Sequence, residues 1–216
     1  MRVATVEEES RRLQMLAAAL EVIVERGFPD TRIADVAERA GVSPALVIYY
    51  FKTKDRLLAE AMRHSEDAWY AEMLRRTEAT PDATDRLHEV VALTCLPNEE
   101  APFEESWAVW LDLWAQALRD PDVRVVREEF DEHFRETIRQ IVRLGIAQGE
   151  FRDVDADDFA VGYSALLDGL AIQIALSDPV VSPERAFDLA MRVAAAELGF
   201  EWRPTRGRRA GRRTNR

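Results

Sequence analysis

The chain lacks several features that define other classes of protein. It has a single cysteine, Cys95, so no intrachain disulfide can form and a disulfide scaffold is excluded. No apolar run approaches the roughly 20 residues that span a bilayer. The stretch Met1 to Ser10 is polar and acidic, without the apolar region of a signal peptide. A soluble, reducing, cytoplasmic setting is expected, with no membrane partner. No segment alternates apolar and polar residues between hairpin signals, so strands are not expected. Gly-x-Gly-x-x-Gly and phosphate-loop patterns are missing. His64, His88 and His133 fall on three different predicted helices, with no His-Glu-x-x-His spacing. Cys95 lies in an apolar stretch and reads as packing. The runs Asp153-Asp155-Asp157-Asp158 and Glu128-Glu129 read as a helix start and a solvated face. Neither catalysis, a metal nor a cofactor is expected.

Positive charge is also short overall, with 29 Lys+Arg against 40 Asp+Glu for a net charge of −11. That average is a poor sign for nucleic-acid binding, but it conceals three regions. Residues 1–60 carry nine basic and ten acidic side chains, residues 61–202 thirteen and thirty, and residues 203–216 seven and none. The acidity belongs to the middle of the chain and does not exclude a DNA-binding end. A hydrophobic content of 47% is ample for a buried core. Only the tail, with Arg203, Arg206, Arg208, Arg209, Arg212, Arg213 and Arg216, has too little to pack and is expected to be disordered. Its arginines could attract phosphates, pair with the acidic body or be a solvated end.

What is present reads almost everywhere at helical period. Leu13, Leu16, Ala17, Leu20, Ile23 and Val24 line one face of a first helix that Gly27 closes. Thr31 can cap a second, burying Ile33, Val36, Ala37 and Ala40 and stopping at Gly41. Ser43-Pro44 is a cap and first-turn pair for a third, to about Tyr50. Thr53 can cap a fourth from Lys54 to about Glu78. Further helices are expected at about 84–96, 104–118, from Asp120-Pro121 to Gly149, from Asp155 to about Leu176, and from Ser182-Pro183 to near Gly199. The fold class is all-α, with about nine helices.

The second and third helices, joined by Gly41-Val42-Ser43, have the dimensions of a helix-turn-helix, whose second helix enters the major groove. The third helix is short and nearly uncharged, so its exposed groups would be methyls and phenols that meet thymine methyls and phosphate oxygens. Ser43, Pro44, Ala45, Leu46, Ile48, Tyr49 and Tyr50 are candidate contacts. Lys52 and Lys54 are well placed for phosphates, and Thr31 and Arg32 start a helix whose amides could hold another. Val47 and Phe51 face back toward Val36 and Leu57 and are expected in the core.

The stretch from Thr31 to Pro44, followed by Tyr49-Tyr50-Phe51-Lys52-Thr53-Lys54-Asp55-Arg56-Leu57-Leu58, resembles the DNA-binding domain of the TetR family of repressors over roughly residues 10–60. Many members have Gly-Thr-Leu-Tyr where this chain has Ala45-Leu46-Val47-Ile48. The aliphatic version is similar to the branch containing the choline-sensing repressor. The resemblance implies an all-α regulatory domain, a homodimer formed largely through the last two helices, and a ligand pocket between helices four and eight. The implied organisation is a DNA-binding domain at 1–54, a regulatory and dimerisation domain at 55–202, and the basic tail at 203–216.

In the regulatory region, Trp107, Trp110, Leu111, Trp114, Ala115 and Leu118 share one helix face. Trp69, Tyr70 and Met73 lie on the fourth helix, Phe130 and Phe134 on the seventh, and Tyr163 and Leu166 on the eighth. Glu104 lies near the aromatic face of the sixth. In the implied architecture these converge on a cavity whose aromatic walls, in an acidic domain, suit a cationic or amine-bearing effector. Packing in the core is the competing reading for each. Asp112 is nearly opposite Trp110 and is expected to face solvent. Asp168, inside an apolar stretch, needs a partner, with a helix cap or a second subunit favoured over a ligand. Alanines 160, 165, 171, 175, 186, 190, 194 and 195 on the last two helices would allow the close approach of a dimer interface.

The function expected is a ligand-responsive DNA-binding transcriptional regulator, a repressor released from a palindromic double-stranded operator when a small molecule enters the regulatory domain. A helical sensor or adaptor that does not touch DNA is the alternative.

Overall fold

The computed structural model of the chain describes residues 6–97 and 103–203. Among the described residues the secondary structure is helical throughout: α1 (Val6–Arg26), α2 (Ile33–Arg39), α3 (Pro44–Phe51), α4 (Lys54–Glu78), α5 (Ala83–Cys95), α6 (Phe103–Ala117), α7 (Pro121–Gln148), α8 (Ala156–Ala175) and α9 (Pro183–Leu198). The boundaries follow the punctuation in the sequence. Ser43 Oγ accepts from Leu46 N at 3.3 Å with Pro44 in the first turn, and Thr53 Oγ1 accepts from Arg56 N at 3.2 Å. Asp155 caps α8 by accepting from the backbone N–H groups of Asp157 and Asp158. Gly41 adopts φ +66°, the left-handed conformation that lets α2 turn sharply into α3, while Val42 packs into the corner.

One cap differs from expectation. Residue Arg32, without a side-chain bond, occupies the N-cap of α2. Thr31 is 1% exposed and its hydroxyl donates to Gly27 O at 2.8 Å, so it ties the α1–α2 turn together.

The body wraps around two apolar clusters. The first joins Met15, Ala19, Val22 and Ile23 of α1 to Val36 and Ala37 of α2, Val47 and Phe51 of α3, and Leu57, Leu58 and Met62 of α4. It does not end where α4 leaves the head, because Val109, Leu113 and Ala117 of α6 and Val126 and Phe130 of α7 belong to the same cluster. The second holds α5, the C-terminal half of α7, α8 and α9 together. The alanines of the last two helices are largely consumed within the chain: Ala160, Ala186, Ala190 and Ala194 are fully buried in this cluster and Ala171 is fully buried as well, whereas Ala165 is exposed. α4 belongs to both clusters, through Met62 at one end and Met73 at the other. It is one unbroken helix from Lys54 to Glu78, so a single element joins the two clusters.

Candidate effector cavity and DNA-reading helices

The surface expected to read DNA is α3 with the ends that flank it. Its apolar positions divide as the helical period demands: Val47 and Phe51 are buried, while Pro44, Ala45, Ile48 and Tyr49 are exposed. Leu46 and Tyr50 are half-buried, and the Tyr50 ring leans on the core of the head. Tyr49 is 66% exposed and meets Tyr50 edge-on. At the end of α3, Lys52 takes φ +68°, a strained conformation for a side chain with Cβ. Its ammonium donates to Tyr49 O at 2.7 Å and sits over the Tyr49 ring. Lys54 Nζ donates to Pro29 O at 2.8 Å. These two are the only lysines in the chain, and both stand beside the reading helix. Arg32 is exposed at the start of α2, while Thr31 offers no side-chain donor to a phosphate for the reason given above.

A cavity of about 430 Å³ lies between α4, α5, α6, α7 and α8. Helical spacing explains its aromatic wall. Trp107, Trp110 and Trp114 line it from α6, Trp69 from α4, and Phe130 and Phe134 from α7. Ring centroids lie 5.5 Å apart for Trp110–Phe130, 5.9 Å for Trp69–Phe134 and 6.2 Å for Trp107–Trp114.

Five expected lining residues do not reach the cavity. Met73 is fully buried in the second cluster. Tyr163 is buried, stacked on Phe159, with its hydroxyl donating to Ala190 O at 3.1 Å. Leu166 packs on the same cluster. Leu111 is half-buried and lines no part of the cavity. Tyr70 stands behind Trp69, its hydroxyl directed at Phe130 O at 3.4 Å. Glu104 belongs to α6, but its side chain lies outside the described residues, as do the tail arginines beyond Arg203.

The charged part of the wall is largely invisible to helical periodicity. Glu66 of α4, Asp131 of α7 and Asp168 of α8 all line the cavity, with Arg127 and Arg135 beside Asp131. Asp168 therefore faces the cavity rather than capping a helix. Burial pushes the Glu66 carboxyl up to about 8, and the nearby acids Asp67 and Asp131 push the same way. Burial also raises Asp168, to about 6, and Asp131, against the pull of the two arginines.

Asp112 does not face solvent as expected. Its face of α6 is covered by the α1–α2 turn rather than by water, and Oδ2 accepts from Phe28 N at 2.7 Å. The helix that carries three cavity tryptophans is thus bonded directly to the backbone of the reading head.

Cys95 and two of the histidines pack against neighbours. Cys95 is buried, and burial raises its thiol to about 12, leaving it inert. His88 packs on Phe187 and Trp202, and His133 on Tyr70. Among the described residues no cluster of three His, Cys, Asp or Glu could hold a metal ion, and no helix is long and apolar enough to cross a membrane.

A helix-turn-helix head bonded and packed onto a helical body with a ligand-sized cavity defines a DNA-binding transcriptional regulator under small-molecule control. Comparison with known proteins gives the family. The model described as "Bacterial regulatory proteins, tetR family" matches residues 15–61, and that described as "BetI-type transcriptional repressor, C-terminal" matches residues 83–199. The chain belongs to the TetR family, with a C-terminal domain of the BetI type. The HTH-type transcriptional regulator BetI of Burkholderia cenocepacia is 33% identical over 184 residues, covering 84% of this chain and 91% of that protein. A transcriptional regulator from Saccharomonospora viridis, solved in complex with choline, superposes with a TM-score of 0.77 at 30% identity over 87% of this chain and 96% of that one. A TetR-family regulator from Rhodococcus sp. also gives 0.77, at 28% identity over 88% of this chain and 99% of that one. The relatives are transcriptional regulators rather than enzymes.

Proposed function

We propose that the effector is a small quaternary ammonium cation of the choline type, and that its binding releases a homodimer from a palindromic operator. The observation that carries this reading is the chemistry of the cavity wall: six aromatic rings beside three carboxylates. Methyl groups around a permanent positive charge are bound by the negative faces of such rings, and carboxylates supply the counter-charge. The choline complex of the Saccharomonospora viridis relative supports the same class.

In the mechanism, the cation stabilises one of two arrangements of the body. Filling the cavity separates α6 from α7 and shifts α4. Both helices reach the head, α4 by continuing into it and α6 through Asp112 and the turn at Phe28. Two heads about 34–36 Å apart match successive major grooves, and a change in their tilt removes that match. Arg32, Ser43, Pro44, Ala45, Leu46, Ile48, Tyr49, Tyr50, Lys52 and Lys54 form the DNA contact surface. The dimer forms through α8 and α9, whose outer faces expose Gly162, Ala165, Gly169 and Val193. Their small side chains permit close helix approach. Titrating the protein with choline while following tryptophan fluorescence tests the effector class. Saturable quenching at micromolar to millimolar choline is the expected result, and no change with choline or tetramethylammonium would overturn the reading.

A further inference from the structure

The three carboxylates of the cavity are not equivalent. Asp131 is held by guanidinium groups on its own helix, in contact with Arg127 and with Arg135 Nη1 at 4.0 Å. Asp168 lies within reach of the field of the same two arginines. Glu66 is 8% exposed and has neither a hydrogen bond nor an ion pair among the described residues. Its acidic neighbours are Asp67 on α4 and Asp131 on α7, with Asp168 across the cavity on α8. Arg63, one turn earlier on α4, is engaged by Glu129 at 2.8 Å. The Tyr70 hydroxyl, one turn later, is itself raised by burial and by Glu66. From α1, α5 and α6 the described cavity side chains are uncharged.

A carboxylate so placed is expensive in the empty cavity, because it would be ionised away from water among like charges. The adjacent ring of Trp69, one turn along α4, belongs to the wall that would receive the methyl groups of a cation. We propose that Glu66 is the counter-ion of the bound effector and carries a proton until the cation arrives, so that effector binding and proton release are one linked event. The Glu66 carboxylic acid gives its proton to solvent or buffer, and the carboxylate that remains neutralises the permanent charge of the ligand. No bond to the ligand forms. The inference rests on the reading of the effector as a cation. Burial raises the free carboxyl to about 8, and the cation lowers it again. Affinity for the cation therefore rises with pH until the empty site is itself ionised.

The test is the choline dissociation constant of the full chain between pH 6 and pH 8.5, with calorimetry at pH 7 in two buffers of different ionisation enthalpy. Affinity is expected to improve by about tenfold per pH unit up to about pH 8 and then to level, with close to one proton released per choline at pH 7. The neutral isostere 3,3-dimethyl-1-butanol should bind without pH dependence or proton release. Glu66→Gln should bind choline with flattened pH dependence and no proton release, about tenfold more weakly than the wild type at pH 8. Choline binding that is flat from pH 6 to pH 8, with no proton released, would overturn the linkage while leaving the cation reading standing. No choline binding at any pH would overturn both. The pH series on the unsubstituted protein decides the matter even if the variant does not fold.

Discussion

The bond between Asp112 and the backbone of Phe28 connects the cavity helix to the reading head, and Asp112→Ala removes it. A backbone N–H donating to a carboxylate at 2.7 Å contributes about 1.5–3 kcal/mol, and the half-buried setting argues for the lower end. The substitution leaves the Phe28 N–H, at the start of a tight turn, without its acceptor. For a chain of this size, each kcal/mol lowers Tm by about 2–4 °C, so a loss of about 3–6 °C is expected in thermal unfolding. The functional consequence is more specific. Typical coupling between two sites is about 1–3 kcal/mol, so losing one connection of about 1.5 kcal/mol reduces the effector's influence on operator affinity by about tenfold. Choline affinity of the free protein should stay within about twofold, because Asp112 does not line the cavity. Asp112→Asn keeps an acceptor without the charge and should fall between. Tryptophan fluorescence measures the first affinity and anisotropy of labelled operator DNA the second. A variant with lowered Tm but an undiminished choline response would refute the role of this bond in transmission.

Three further outcomes follow from particular contacts. Combining Tyr49→Ala with Lys54→Ala should abolish binding to DNA flanking the protein's own reading frame, with the dimer and choline binding intact, as read by anisotropy and sedimentation. Glu66→Gln should raise Tm at pH 8 but not at pH 5. A carboxyl whose folded value lies above its unfolded one loses stability as pH rises between the two, here from about 4.5 to about 8, and the amide escapes that loss of a few kcal/mol. Gly145→Ala should destabilise the body by about 1–3 kcal/mol or more in denaturant unfolding, because a Cβ there would overlap the buried Phe151 ring.

The helices were legible because caps and glycines act locally: Ser43-Pro44, Thr53, Asp155 and Gly41 set their boundaries through their own backbone geometry. The head was legible for the same reason, including the division between Val47 and Tyr49. The cavity was legible only as a set of aromatic faces. Helical period says which side of a helix is apolar, but not whether that side meets another helix or a void. Met73, Tyr163 and Leu166 meet helices, while Trp69 and Trp110 meet the void. Glu66 and Asp131 were hidden among the many acids of the regulatory region, although Glu66 lies one turn before Trp69. Helical period puts Asp112 opposite Trp110, but no periodicity reveals that a loop 84 residues away covers that face.

The central claim is that a cation in this cavity controls DNA binding by this head. Fluorescence anisotropy of a labelled duplex from the protein's own flanking DNA, measured with and without choline, tests it most directly. Tight binding that weakens steeply with salt and is released by saturating choline at constant ionic strength is the predicted result. A complex that choline leaves untouched, although choline occupies the cavity, would contradict it.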